Sequence, residues 1–167
     1  MTTTLVEDQF DTKQPNSHNC FVCGLKNKAG LRMRFKDNGV DQVRSLLTIC
    51  KNHEGFPGIA HGGIIASMLD ETGARASMVS DHNRFMLTGK MEIKYRQPVP
   101  TDVELIVIGT MVKDRGRLAQ VHSEIRLPDG TVAAEADLMM VTVSQEYLTD
   151  ESLEALGWRV YDEGETE

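Results

Sequence analysis

No stretch of the sequence approaches the ~20 consecutive apolar residues of a membrane-crossing helix. Its opening, MTTTLVEDQFDTKQ, has neither the basic region nor the apolar core of a secretory signal. Positive charge is in deficit, with 18 Lys and Arg against 25 Asp and Glu and a net charge of -7. A nucleic-acid binder would present a basic face, so that partner class is excluded. A local basic pocket for an anionic ligand stays compatible with an acidic surface. Cysteine is scarce, three residues in all, and an odd number in such a chain rules against a disulfide framework. Internal repeats are missing as well. These absences lead to the expectation of a soluble cytoplasmic protein with no membrane and no nucleic acid among its partners.

What is present suffices for one domain. A chain of 167 residues can bury about 70% of its unfolded surface, so its core needs neither metal nor disulfide. Residues 1–30 show no periodicity and read as an irregular arm. From Leu31 the segment LRMRFKD alternates apolar and basic residues with period 2, the mark of a half-buried strand. VRSLLTI (43–49) reads as a second strand, reached through a turn at Asn38-Gly39. Residues 51–60 hold two glycines and a proline and read as a loop.

The next segment, 61–80, predicts the one long helix. Ile64, Ile65, Met68, Leu69, Thr72, Ala76 and Val79 make its apolar face. A second stripe, Gly63, Ser67, Asp70, Ala74 and Ser77, is small except for the aspartate. Glu71 and Arg75 are spaced i,i+4 for an exposed ion pair. Four further strands are expected at about 85–97, 103–112, 117–127 and 131–143, with VELIVIGTMV apolar on both faces as a central strand should be. A short C-terminal helix is expected, capped by Thr149 and ended by Gly157. The class is α+β, one antiparallel sheet against one long helix, with the domain at 31–145 and a short helix and tail at 146–167.

The chemistry concentrates in GIAHGGIIASMLDE (58–71). A helix N-terminus offers unpaired N–H groups and a favourable dipole to a developing oxyanion. Gly62 and Gly63 have no side chains to hold a carbonyl away from such groups, although a tight turn would also explain them. Asp70 stands mid-helix, where aspartate is a poor helix former. It suits a general base or a nucleophile, or else a hydrogen-bonded structural aspartate. Glu71 lies about 100° round the helix beside Arg75 and reads as a solvated partner.

Together with CFVCGLKNKAGLRMRF, the PG-x-x-HGG helix start and TGKMEIKYRQPVP, this segment resembles the PaaI-type branch of the hotdog thioesterase superfamily, from Cys20 to about Val143. That family carries a His-Gly-Gly at the start of the central helix and an acidic residue nine positions after the histidine, matched here by His61, Gly62, Gly63 and Asp70. The resemblance implies a hotdog fold, in which a curved antiparallel sheet wraps around one long central helix. It implies an acyl-CoA thioesterase working as a homodimer, able to pair again as a dimer of dimers. It makes His61 the residue that orients the glycine turn and Thr88 the hydroxyl near the acid, while local packing and ordinary strand preference explain these two equally well. Some members point an Asn or Gln at the thioester carbonyl; the matching position here is Gly55, with Asn52 and His53 nearby, which leaves that donor unassigned.

Gly62 and Asp70 are eight residues apart, about 12 Å along a helix at ~1.5 Å rise. A working site needs both within about 3 Å of the reacting atoms. One subunit cannot supply both, and the family's dimer resolves this by facing the glycine of one helix with the acid of the other.

Cys20-x-x-Cys23, with His18 close by, reads as half a zinc site or as a redox pair. Only Cys50 and His53 are on hand to complete it, so no metal and no cofactor are expected. Lys90, Lys94, Arg96, Lys113, Arg115 and Arg117 are candidates for coenzyme A phosphates, none singled out. A non-catalytic acyl-CoA-binding module is the alternative function, and a hotdog dehydratase a third; an acid at Asp70 favours hydrolysis over both.

Overall fold

Nine strands and two α-helices follow from the sequence in the computed structural model, which describes residues 9–166. Residues 1–8 of the expected arm and Glu167 of the tail lie outside the described residues. The strands are β1 (Thr12–Lys13), β2 (Lys36–Asp37), β3 (Gln42–Thr48), β4 (Glu54–Phe56), β5 (Ile59–Ala60), β6 (Met86–Tyr95), β7 (Glu104–Asp114), β8 (Leu118–Arg126) and β9 (Val132–Thr142), and the helices are α1 (Gly62–Ala76) and α2 (Asp150–Leu156). Seven strands form one sheet in the order β1-β2-β3-β7-β8-β9-β6, paired antiparallel throughout. The doubly apolar segment becomes β7, flanked by β3 and β8 as its composition predicts.

α1 packs across one face of this sheet. Ile65, Met68, Leu69, Thr72 and Ala76 are buried against inward residues of the strands, among them Leu105, Val107, Val121, Ala136 and Leu138. Met68 and Leu69 have no exposed surface; burying side chains of that size is worth about 1.5–3 kcal/mol each. The helix comes so close to β7 that a Cβ at Gly109 would collide with the Thr72 carbonyl. Ser123, fully buried on β8, donates to the Leu69 carbonyl at 2.8 Å and fixes how far along the sheet the helix sits. The α1 hydrogen-bonding ends at Ala76, with Ser77 as its C-cap, four residues before the expected end.

Four expectations need correction. Leu31, Met33 and Phe35 are buried with the predicted alternation, but only Lys36–Asp37 pair in the sheet. Arg32 adopts a positive φ of 52°, and the Leu31 and Met33 N–H groups donate to Phe21 and Val22 carbonyls of the preceding loop instead of to a strand. The loop at 51–60 holds a small hairpin, β4 with β5, turning at Pro57-Gly58. The arm, otherwise irregular, contributes β1 to the edge of the sheet.

The fourth correction is larger. Arg75 is 1% exposed, so its pair with Glu71 (2.9 Å) is not a surface one. The arm crosses over it: Arg75 Nη1 donates to the Pro15 carbonyl at 2.5 Å, and the guanidinium lies 4.7 Å from the Phe35 ring centre and 4.8 Å from that of Trp158. Burial disfavours its charge, but Glu71 and Cys23 together hold the group above its usual range. Beside it the buried Asp37 accepts from Gln14 Nε2 at 2.9 Å and lies 2.9 Å from His82 Nε2. α2 starts at Thr149, whose side chain accepts from Ser152 N–H, and ends at Gly157 in a left-handed conformation, as the sequence predicts. The sheet-and-helix layout is the one the hotdog resemblance implies.

Candidate active site

The start of α1 is shaped by His61. It is the N-cap, and its Nδ1 accepts the Gly63 N–H at 2.9 Å, which puts the neutral ring's proton on Nε2. Its carbonyl takes the N–H groups of Ile64 (2.9 Å) and Ile65 (3.1 Å). Among the described residues the Gly62 N–H has no partner, leaving it as the open donor of the first turn. Of the unpaired N–H groups expected at this helix start, that of Gly63 is therefore taken by the cap.

The turn does not need glycine at 62. Neither Gly62 nor Gly63 has a positive φ. A Cβ at Gly63 would come within 3.2 Å of His61 Nδ1, so that glycine makes room for the capping ring. A Cβ at Gly62 would meet only the Tyr95 ring, at an ordinary 3.8 Å. Among the described residues nothing explains the missing side chain at Gly62.

β6 runs antiparallel to the helix at the edge of the sheet and lays its inward residues along it. Tyr95, opposite the helix start, donates its hydroxyl to the Gly62 carbonyl at 3.0 Å. Thr88, at the other end of the strand, donates to Asp70 Oδ1 at 2.5 Å and lies 3.6 Å from Met140 Sδ. The β-bulge between Thr88 and Lys90 aims this hydroxyl. Asp70 is half-buried, and its contact with Thr88, like that of His61 with the glycine turn, is a pairing the family resemblance implies within one chain. Gly62 and Asp70 remain about two helical turns apart. Tyr95 was missed; its signal was the inward alternation with Met91 and Ile93, but what the hydroxyl would reach depends on the course of β6.

Upstream, His53 is engaged elsewhere: Nε2 lies 2.9 Å from the Ala29 carbonyl and Nδ1 3.6 Å from Cys50 Sγ. Cys50 and His53 thus form their own contact and do not join the other cysteines. Cys20, Cys23 and Glu71 bring three ligand atoms within 4.8 Å of one another, the one such group of three or more among the described residues. Among the basic candidates, Arg96 is held by Glu135 through two hydrogen bonds of 2.9 and 2.8 Å; Lys90 and Lys94 stand exposed on the outer face of β6.

Residues 57–134, which carry the helix start, Asp70 and Thr88, match the sequence profile of the thioesterase superfamily. That segment, just under half of the chain, is similar in sequence to the thioesterase superfamily. It is 32% identical over 80 residues to the acyl-coenzyme A thioesterase THEM4 of Xenopus laevis, a match covering 47% of this chain and 35% of that one. The chain thus spans about a third of that relative's length. A thioesterase superfamily protein of known structure, RHA08564, superimposes with a TM-score of 0.67 at 25% identity, over 75% of this chain and 60% of its own. A Streptococcus mutans protein solved bound to acetyl-CoA superimposes at 0.57 with 19% identity, over 62% of this chain and 82% of its own. With the sheet and helix described above, these likenesses make the fold of this chain a hotdog.

Proposed function

We propose that this chain is an acyl-CoA thioesterase of PaaI type, cleaving the thioester to a free acid and CoA in a site shared by two subunits of a homodimer. The observation that carries the reading is one helix holding an open N–H at its start and a fixed carboxylate two turns on. The thioester carbonyl meets the Gly62 N–H, where the helix dipole favours the negative charge that develops on oxygen. Asp70 of the partner subunit stands across from it, held by the partner's Thr88. As general base it takes a proton from water, whose oxygen attacks the carbonyl carbon. The C–S bond then breaks and the thiolate leaves with CoA, taking up a proton. As nucleophile its oxygen attacks the carbon itself, the C–S bond breaks with the CoA thiolate leaving and taking up a proton, and water hydrolyses the resulting anhydride. Gly63 and His61 shape the turn that presents Gly62.

The acyl-CoA ligand is supported by the activity named for THEM4 and by the acetyl-CoA bound to the Streptococcus mutans neighbour. The edge position of β6 supports side-by-side pairing, and the exposed row Leu87, Val141 and Leu118 on the outer face supports a dimer of dimers. Among the described residues no helix is long and apolar enough to cross a membrane. Free Cys20, Cys23 and Cys50 suit the reducing cytoplasm. The reaction as written uses no metal or cofactor.

The test is a panel of aromatic, medium-chain and long-chain acyl-CoAs with detection of the released thiol. Turnover of at least one substrate, abolished in Asp70→Asn, is expected. Tight binding of an acyl-CoA without release of thiol would make the chain a binding module instead.

A further inference from the structure

Cys20 and Cys23 have no part in the proposed hydrolysis, yet their surroundings are built. The Cys23 N–H points at Cys20 Sγ at 3.5 Å, and Ser17 Oγ accepts from the Cys20 N–H at 3.3 Å while lying 3.5 Å from Cys23 Sγ. Both sulfurs are thereby gathered on one side of a tight turn, within 4.8 Å of each other. Cys20 is half-buried and Cys23 is 2% exposed, so one thiol faces solvent and the other waits behind it. Cys20 Sγ is 4.0 Å from Glu71 Oε2. Behind the pair sits the buried Arg75, whose Nη2 has no hydrogen-bond partner among the described residues and whose charge acts on Cys23.

This surrounding favours sulfur anions over a metal dication. Glu71 Oε1 is already taken by Arg75 Nε, which pairs the one carboxylate beside the sulfurs and sets a buried positive charge behind it. Among the described residues three ligand atoms gather, where a structural zinc site closes with four. We propose that Cys20 and Cys23 form a thiol–disulfide exchange pair acting on small-molecule disulfides, with Cys20 as the attacking thiolate and Cys23 as the resolving thiol.

In the first step the Cys20 thiolate attacks one sulfur of R–S–S–R, forming a mixed disulfide and expelling RS⁻. Cys23 then gives its proton to the departing thiolate and attacks Cys20 Sγ, expelling the second RS⁻, which takes a proton from solvent. The protein loses two electrons and two protons, and the small disulfide is reduced to two thiols. Rotation about the side-chain bonds brings the sulfurs to the ~2.05 Å of a disulfide. The electrostatics agree with these roles. The Cys20 thiol is lowered to about 6, chiefly by its hydrogen bond with Cys23, against burial and the charge of Glu71. The same hydrogen bond, with burial, pushes Cys23 up, so it stays protonated until the mixed disulfide forms.

To test this, the reduced full chain is exposed to glutathione disulfide, remaining thiols are alkylated, and peptides are weighed. The expected product joins Cys20 to Cys23, lighter by two hydrogen atoms, with Cys50 still alkylated. Cys23→Ser should stall with glutathione on Cys20, releasable by dithiothreitol, and Cys20→Ser should give neither product. Circular dichroism reports whether the variants fold. A measurement on the unmodified protein needs no variant: alkylation of Cys20 should outpace that of Cys50 near neutral pH and fall only as pH drops through about 6. The proposal is overturned if Cys20 reacts no faster than Cys50 and no Cys20–Cys23 link appears. Stoichiometric zinc that copurifies and shields both thiols would overturn it equally.

Discussion

The two ends of α1 are built on opposite terms. At its start the helix offers an open N–H on Gly62, an exposed capping histidine and a tyrosine hydroxyl, all reachable from solvent. At its end Arg75 is sealed under the arm, stacked between Phe35 and Trp158 and bonded to Glu71 and Pro15. Asp70 stands between these regimes, half-buried and held by a single hydroxyl from an edge strand. The difference teaches how one helix divides its work: the end that is anchored by buried polar contacts lets the other remain unsatisfied. An unsatisfied helix start costs stability and is the place where a ligand can complete the structure.

Substitutions at the two ends should therefore separate activity from stability. The largest expected effect is on activity. Asp70→Asn keeps the volume and removes the base or nucleophile, lowering turnover ~10²–10⁴-fold with the melting temperature nearly unchanged; turnover within a few-fold of the unmodified protein would break the comparison. Next comes stability. Arg75→Met leaves Glu71 and the Pro15 carbonyl without their partner in a buried setting, and unfolding in urea should show a loss of about 3–5 kcal/mol, with turnover per folded molecule preserved. A loss below about 1 kcal/mol is the size of a surface pair, and would mean the arm does not seal this end in solution.

Smaller effects sharpen the picture at Asp70 and at the start. Thr88→Val removes a hydrogen bond to a carboxylate, a loss of about 1.5–3 kcal/mol, and should appear in kcat more than in KM because the group positions the attacking partner. Unchanged kcat and pH–rate profile would make Thr88 an ordinary strand residue. His61→Ala removes the N-cap and should cost about 0.5–2 kcal/mol of stability, read as a lowered Tm. A Tm that does not move would mean the imidazole contributes nothing to the cap.

Much of this was legible in the sequence for a simple reason: periodicity reports burial. The apolar stripe of 61–80 placed the helix, and Met91, Ile93 and Tyr95 alternate in the sequence with Lys90, Glu92, Lys94 and Arg96 as the inward face of a strand does. Helical rise alone showed that Gly62 and Asp70 could not meet in one chain. The failures share a cause as well. Leu31, Met33 and Phe35 alternate like a strand because they are buried like one, but what lies beside them is the irregular cysteine loop. The i,i+4 spacing of Glu71 and Arg75 is indifferent to depth; only the crossing of the arm and the return of Trp158, far away in sequence, bury it. Tyr95 could be read as inward but its bond to the Gly62 carbonyl could not, since that depends on how β6 aligns with α1.

The central claim is that a working site takes its oxyanion donor from one chain and its acid from another. Gly62→Val should block the helix start, and Asp70→Asn should lack the acid, so each variant alone should be nearly inactive. An equal mixture, unfolded and refolded together, should yield about half mixed dimers if pairing is random, a fraction that native mass measurement can confirm. In a mixed dimer one site collects both lesions, while the other joins an intact Gly62 to an intact Asp70 of the partner subunit. The account predicts that activity returns to about a quarter of the sites of the unmodified protein. Mixed dimers that are present by mass yet remain inactive would contradict it, because a site lying wholly within one chain cannot be rebuilt by exchange.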